Sequence, residues 1–402
     1  MTRTWDHGAP AIPPKLLAVL GVLLGIAVIS VNISVAVSSI AMGSGIILFV
    51  GIIVFSRGKA FRPTPLDMFF LCYLAAEVLA TIFSADPPAS LFNMKRFFQI
   101  SIFYLAIASL DTEAKLRKLV VVLIAFAAVV ATVEAFSLTK VGGTFARVSM
   151  FQHVLTEGGI KMLSLLLVLP FLVHPGTPRP WRIWAAVCAL PLFLVLILTQ
   201  TRSAWLGFIA GAVVIGVMRN KKLILALLVL GLLFFLFAPA DFKSRAASIV
   251  DPTMTSNLTR IHMIATGWRM FLDRPLFGLG DIDLKVYYVT YIVPIDPGEG
   301  GHLHNNLMTL LVTIGGVGLL ATGALFVKIF IEELRSVRET SGDWFLGSIS
   351  LGAFAAYVAF HVNGLFEWNF GDHEIAVLLW FTVGLALVSR GLLARAGKRA
   401  TS

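Results

Sequence analysis

The chain has 402 residues, of which 58% are hydrophobic and only 13% charged, against roughly 25% charged for a soluble domain. That balance excludes a soluble globular protein. A net charge of +10 would suit nucleic acid, but the basic residues cluster in short segments between apolar runs, where they set membrane topology instead.

About twelve stretches approach the roughly 20 apolar residues of a membrane span. In chain order they are 16–30, 34–56, 66–84, 92–110, 119–137, 159–174, 183–200, 203–218, 222–239, 305–331, 344–362 and 373–389. The first is followed at once by others and is expected to be a retained span, not a cleaved leader. Cys72 and Cys188 both fall in apolar runs and are expected as small packing residues. An even number of spans puts both termini on one side. Placing them in the cytoplasm gathers most of the 32 basic residues on the inner side, among them Arg57, Lys59 and Arg62, then Lys115, Arg117 and Lys118, then Arg219, Lys221 and Lys222. The expectation is an all-α polytopic membrane protein of about twelve transmembrane helices. One external helical loop separates the ninth and tenth, dividing the chain into 1–239, 240–304 and 305–402.

The external loop contains "NLTRIHMIATGWRMFLDRPLFGLG". Apolar residues recur there at helical spacing (Ile261, Ile264, Trp268, Phe271, Leu272), and a Pro/Gly stop follows. The pattern predicts an amphipathic helix lying at the outer membrane surface. The external basic residues oppose the topological trend, so each needs a reason. Arg202 sits in the turn "LTQTRSAWLGF", Arg260 begins the amphipathic helix, Arg147 lies in "GGTFARVSMFQHV", and Lys95 and Arg96 head the fourth span. Each alone reads most simply as a headgroup anchor. Together they are several cations on one face with few carboxylates in the short loops. Guanidinium forks suit phosphate oxygens, so a pyrophosphate at the outer leaflet is a natural guest.

The run "HLHNNLMTLLVTIGGVG" carries His302, His304, Asn305 and Asn306 into an apolar helix. One of these residues is accounted for as a helix cap. A neutral histidine at this boundary can also take a proton from a hydroxyl, and His304 and His302 are both candidates. "FEWNFGDHE" gathers Glu367, Asp372, His373 and Glu374. Its spacing supports no tight metal site; it reads as an acidic loop orienting the cations, or as a solvated turn. Glu77 and Glu134 fall inside spans, where carboxylates are costly, and the sequence assigns them no role.

These stretches resemble the O-antigen ligase family, the WaaL-type branch of the superfamily that also holds Wzy-type polymerases. "HNNLMTLLVTIGGVG" fits the histidine motif through His304, Asn305, Gly315 and Gly318. "TQTRSAWLG" looks like the arginine turn at Arg202. "TRIHMIATGWRMFLDRPLFGLG" looks like the arginine helix of the large periplasmic loop, with Arg260 and the closing Pro275, Gly278 and Gly280. The resemblance implies an inverting, metal-independent glycosyltransferase of the bacterial inner membrane, with its active site facing the periplasm and no cofactor. The donor would be a glycan on undecaprenyl pyrophosphate and the acceptor a sugar hydroxyl of lipid A–core, with the phospholipid bilayer holding the lipid. His304 would be the base. Arg202 and Arg260, with Arg147, Arg96, Lys95 and Asn305, would bind substrate. The chain has no GxGxxG or Walker glycine pattern, consistent with a pre-activated donor. A Wzy-type polymerase, a lipid-linked glycan transporter and a scaffolding protein are the competing readings. A transporter would place its polar residues near the midplane, whereas here they gather at the outer face.

Overall fold

The computed structural model of the protein describes residues 12–141, 143–292 and 302–401. It is helical, apart from a two-stranded antiparallel ladder (Lys140–Val141 with Thr144–Phe145). In chain order the helices are α1 (Pro14–Ser30), α2 (Val35–Phe55), α3 (Asp67–Ile82), α4 (Pro87–Asn93), a 3₁₀ segment (Met94–Ile100), α5 (Ser101–Ser109), α6 (Glu113–Ala135), α7 (Val154–Val173), α8 (Arg179–Leu198), α9 (Arg202–Met218), α10 (Lys222–Phe237), α11 (Ala240–Ala247), α12 (Thr255–Asp273), α13 (Lys285–Tyr291), α14 (Asn306–Thr340), α15 (Trp344–Gly364) and α16 (His373–Thr401).

Among the described residues, seven helices are long and apolar enough to cross a bilayer: α2, α6, α7, α8, α14, α15 and α16. Three shorter apolar helices, α1, α9 and α10, accompany them. This makes the chain an integral membrane protein. Every expected apolar run falls on helical backbone, but the third is a 16-residue helix and the fourth is broken into α4, the 3₁₀ segment and α5. The starts are written locally. Ser34, Asp86, Thr112 and Asp343 each accept a backbone N–H of the first turn of α2, α4, α6 and α15, satisfying donors that a helix start leaves free.

The centre of the bundle is α7, α15 and α16, which are 89%, 83% and 94% buried along their apolar stretches, against 28% for α2. α15 packs on α7, α9 and α16. α10 packs on α9 and buries no residue, so its apolar side chains are left for lipid. The two buried acids without a role now have partners. Glu134 meets Lys161 at 3.0 Å, and Lys161 meets Glu157 at 2.5 Å, all with fully buried side chains. Glu77 accepts the Tyr73 hydroxyl at 2.7 Å. Lys161 is the compensating charge that makes the carboxylates tolerable in such a place.

α14 is longer than its apolar run and is broken at Gly315 (φ 67°, ψ −172°), a conformation essentially reserved for glycine. Two backbone N–H groups and two carbonyls that would pair within an unbroken helix are thereby freed. The "PLFGLG" segment takes all four. Gly316 N–H donates to Pro275 O at 2.8 Å and Val317 N–H to Leu276 O at 3.2 Å, while Leu279 N–H donates to Val312 O at 2.8 Å and Gly280 N–H to Thr313 O at 2.9 Å. The same segment is tied to the loop between α3 and α4, since Ala85 N–H and Ser84 Oγ both donate to Leu279 O at 2.9 Å.

The external loop holds three helices, α11 to α13, where the sequence predicted one. The face of α12 that packs on protein is Met263, Thr266, Gly267 and Met270. The apolar stripe read from the sequence points the other way: Ile261, Trp268 and Leu272 are 55%, 49% and 60% exposed. The small face docks closely on α14, and the bulky face is left for a lipid surface.

The break in α14 predicts a pair of contrasting variants. A Cβ at position 315 would fall 2.2 Å from Leu276 O in a backbone conformation that costs about 1–3 kcal/mol for other residues. Gly315→Ala should therefore lower the melting temperature of the detergent-solubilised protein sharply or prevent its accumulation. Gly323→Ala in the same helix, with open space around its Cβ, should melt at or above the parent. Equal behaviour of the two would show that the break carries no structural weight.

Candidate active site

Five segments distant in sequence meet at one end of the bundle: the β-ladder loop with Arg147, the start of α9 with Arg202, α11 and α12 with Arg245 and Arg260, the entry to α14 with His302 and His304, and the α15–α16 loop with Glu367. His304 occupies the left-handed region at φ 44°, rare outside glycine, immediately before the helix start. That turn aims its ring at Glu367: Nδ1 lies 2.8 Å from Oε1. The other carboxylate oxygen lies 3.9 Å from Arg260 Nη2. Glu367 thus serves a histidine and an arginine at once. Burial alone would raise its pKa, but the hydrogen bond from His304 and the charges of His304, His302 and Arg260 bring it below the ordinary carboxylate value. An ionised carboxylate only accepts, so His304 Nδ1 carries a proton, and in the neutral ring Nε2 is then the basic nitrogen.

Arg202 is 7% exposed and is held by neutral oxygens. Nη1 donates to Ser248 O at 2.6 Å and Oγ at 3.0 Å, and Nη2 to Ser256 Oγ at 2.8 Å. Arg147 donates to Thr199 O at 2.8 Å and Thr201 Oγ1 at 3.0 Å. Arg245, which the sequence did not single out, donates from Nε to Gln200 O at 3.1 Å. Among the described residues, none of these three arginines pairs with a carboxylate. Their proximity is visible electrostatically. Burial, then repulsion by Arg245, Arg202 and Arg260, pushes Arg147 down to about 10, and Arg245 is lowered by burial and Arg260. A cluster of cations that depress one another, with Glu367 as the shared carboxylate, is built to accept an anion.

Arg202, Arg260 and His304 line a single cavity of about 340 Å³, within reach of the roughly 300–1,000 Å³ of small-ligand sites. Its remaining wall is largely apolar, with Leu206, Ile249, Ile261, Ile264 and Phe366. A polyanionic head with a hydrocarbon tail matches that wall and those cations.

The other expected site residues lie elsewhere. Arg96 is apart from the arginine group, ion-paired to Asp281 at 2.6 Å on a second cavity; the 3₁₀ segment, which replaces a continuous fourth helix, turns it there. Asn305 is the cap of α14: its Oδ1 accepts Met308 N–H at 2.9 Å and its Nδ2 donates to Leu365 O at 2.8 Å. The side chain of Lys95 lies outside the described residues. The rings of His302 and His304 are in edge-to-face contact at 4.1 Å. Together with Glu367 they are the one His/acid group among the described residues whose ligand atoms, all within 4.8 Å, could hold a metal ion. Glu367 was legible as an acid near the cations. Arg245 had the same signal as Arg260, a basic residue on the external side, but no motif around it.

Buried guanidinium groups and an imidazole–carboxylate pair at the end of an apolar bundle define a membrane protein with a cationic cavity at one end. Residues 186–323, from within α8 to the first half of α14, match the family model described as Wzy_C, O-Antigen ligase. No curated protein matches the chain. The matched stretch contains Arg202, Arg245, Arg260 and His304; Arg147, Arg96 and Glu367 lie outside it.

The arginine geometry predicts binding of inorganic pyrophosphate to the purified protein in low salt. It should raise the melting temperature of the parent in a concentration-dependent way. The shift should shrink in high salt and vanish in Arg202→Ala. A parent that shows no shift at millimolar pyrophosphate would contradict an anion site here.

Proposed function

We propose that the protein is an O-antigen ligase: it moves a glycan from undecaprenyl pyrophosphate to a sugar hydroxyl of lipid A–core on the periplasmic side of the bacterial inner membrane. On this reading all twelve apolar runs cross the bilayer, both termini are cytoplasmic, and residues 240–304 form the periplasmic loop between the ninth and tenth crossings. The observation that carries the proposal is the convergence of Arg202, Arg260 and His304 on one cavity with an apolar wall. The reactive end of the donor, a sugar on pyrophosphate, takes the cationic part, and its polyprenyl chain follows the apolar wall toward lipid.

The chemistry follows from the geometry. The acceptor hydroxyl gives its proton to His304 Nε2 as its oxygen attacks the anomeric carbon. The bond between that carbon and the pyrophosphate oxygen breaks, its electron pair stays on the phosphate, and undecaprenyl pyrophosphate departs. One in-line displacement inverts the anomeric centre. Arg202 and Arg260 neutralise the charge growing on the leaving group, with Arg147 and Arg245 behind them. Glu367 keeps the tautomer in register and stabilises the imidazolium once the proton has moved, as the acid of a catalytic triad does. No step requires a metal.

Three variants test this in a host that depends on the protein. His304→Ala should lower glycan transfer to lipid A–core by about 10²–10⁴-fold while the protein still inserts; capped lipopolysaccharide at parental levels would rule out the base. Glu367→Gln keeps the shape but offers an N–H to Nδ1, which moves the ring proton to Nε2, so a loss of about 10²-fold or more is expected. Arg202→Lys keeps the charge and loses the fork, with a similar loss.

Chelation decides the alternative use of His302, His304 and Glu367. Activity in excess EDTA should equal activity without it. Loss in EDTA with recovery on adding a divalent ion would make the three a metal site and overturn the general-base mechanism.

A further inference from the structure

On the far side of the histidine pair lies a second cavity of about 250 Å³, lined by Asn93, Arg96, Asp281, His302, Thr309 and Trp368 among others. It differs from the donor cavity in every respect that matters for recognition. Its guanidinium is neutralised, since Arg96 is bound to Asp281 at 2.6 Å. Its wall includes an indole, which offers an apolar face to C–H groups. Two of its lining polar atoms, His302 Nδ1 and Thr309 Oγ1, are buried and have no hydrogen-bond partner among the described residues. Thr309 is 3% exposed. A buried hydroxyl without a partner costs stability, so its retention calls for a ligand that bonds it.

The two cavities meet at the histidines. His304 lines the first, His302 the second, and their rings touch at 4.1 Å. A smaller cavity of about 20 Å³, room for about one water, shares Asn93, Arg96, Asp281 and Trp368 with it and reaches Glu77 and Phe97, so the larger cavity is the one with room for a sugar ring. Burial and the neighbouring His304 hold the His302 pKa below its ordinary value, although Glu367 opposes them. A neutral His302 suits hydrogen bonding to a hydroxyl better than to an anion.

We infer that the cavity bounded by Arg96–Asp281, Thr309, Trp368 and His302 is the acceptor subsite, taking an uncharged sugar ring whose nucleophilic hydroxyl passes His302 to reach His304. The inference rests on the glycan-transfer reading above. The ring stacks on Trp368 and its other hydroxyls bond Thr309, His302 and Asp281. His302 is a positioning residue, and Arg96 belongs to acceptor recognition instead of to the pyrophosphate. The same ring chemistry is offered by lipid A–core and by a second lipid-linked glycan, which are the ligase and polymerase acceptors.

The test uses the full chain in nanodiscs, a lipid-linked glycan donor, and each of the two acceptors titrated separately; the one glycosylated by the parent is then used with the variants. Thr309→Val should melt at or above the parent, because it removes an unpartnered hydroxyl, yet raise the acceptor KM about 5–10-fold, the worth of one hydrogen bond. Trp368→Ala should raise it more. The donor KM should stay within about twofold of the parent in both. An unchanged acceptor KM in Thr309→Val, or acceptor and donor constants moving together, would overturn the subsite and leave the transfer reaction standing. Should Trp368→Ala fail to fold, Thr309→Val decides alone. Absence of transfer to either acceptor by the parent would instead sink the transfer reading itself, and the acceptor subsite with it.

Discussion

The break in α14 is the constraint on which the site depends. A helix cannot leave two N–H groups and two carbonyls unpaired in a water-poor interior, where each costs several kcal/mol. The "PLFGLG" segment supplies four backbone partners, so the break exists only if that segment is docked, and the segment holds its shape only against the break. Because Pro275 follows directly on α12, this exchange ties the carrier of Arg260 to the carrier of His304. The glycines are consequences. Gly315 provides the broken conformation, and at Gly278 (φ 72°) a Cβ would meet Val312 O at 2.5 Å, closing the gap through which the two backbones approach.

Charge is the second constraint. The site concentrates Arg147, Arg202, Arg245 and Arg260 and places beside them Glu367, whose two oxygens are shared between Arg260 and His304. Neutral carbonyls and hydroxyls hold the other guanidinium groups in place without cancelling their charge. The cationic field stays available to a substrate, and the cost of maintaining it is met by the packed bundle beneath. The contrast with the core is instructive. There Lys161 is surrounded by Glu134 and Glu157, a compensated group that holds helices together. Across the histidines, Arg96 is likewise compensated by Asp281. One bundle thus uses paired charges inside the core, and at its end sets a compensated guanidinium on one side of the histidines and largely uncompensated ones on the other.

Much of the architecture was legible because its signals are local. Apolar run length, capping residues and the placement of Lys and Arg are properties of short segments, and most helices fall where those signals put them, the broken fourth run and the extra external helices excepted. Arg202, Arg260 and His304 stood out because each breaks a local rule: a cation on the external side, or an imidazole at the mouth of an apolar helix. Glu367 was half legible, as an acid in a loop whose partner no local pattern names. The apolar stripe of α12 was legible, with Ile261, Trp268 and Leu272 exposed as a helix lying at a membrane surface requires, but periodicity did not name the opposite face, Met263, Thr266, Gly267 and Met270, that packs on protein. Asn305 and Arg96 show the same limit. Both were read as partners of one substrate group, but Asn305 caps its own helix, and Arg96 is turned away from the other arginines toward Asp281 by a 3₁₀ segment inside a run that reads as a continuous span.

By itself the sequence determined that the chain is a helical membrane protein whose uncancelled cations and a histidine lie near span ends, because hydropathy and charge act residue by residue. Only the tertiary structure decided that His304 bonds Glu367, that three arginines crowd without carboxylates, and that two cavities flank the histidine pair. Those facts depend on the register between a loop and a broken helix more than thirty residues away in the chain, and such register is set by long-range backbone pairing that no short pattern encodes.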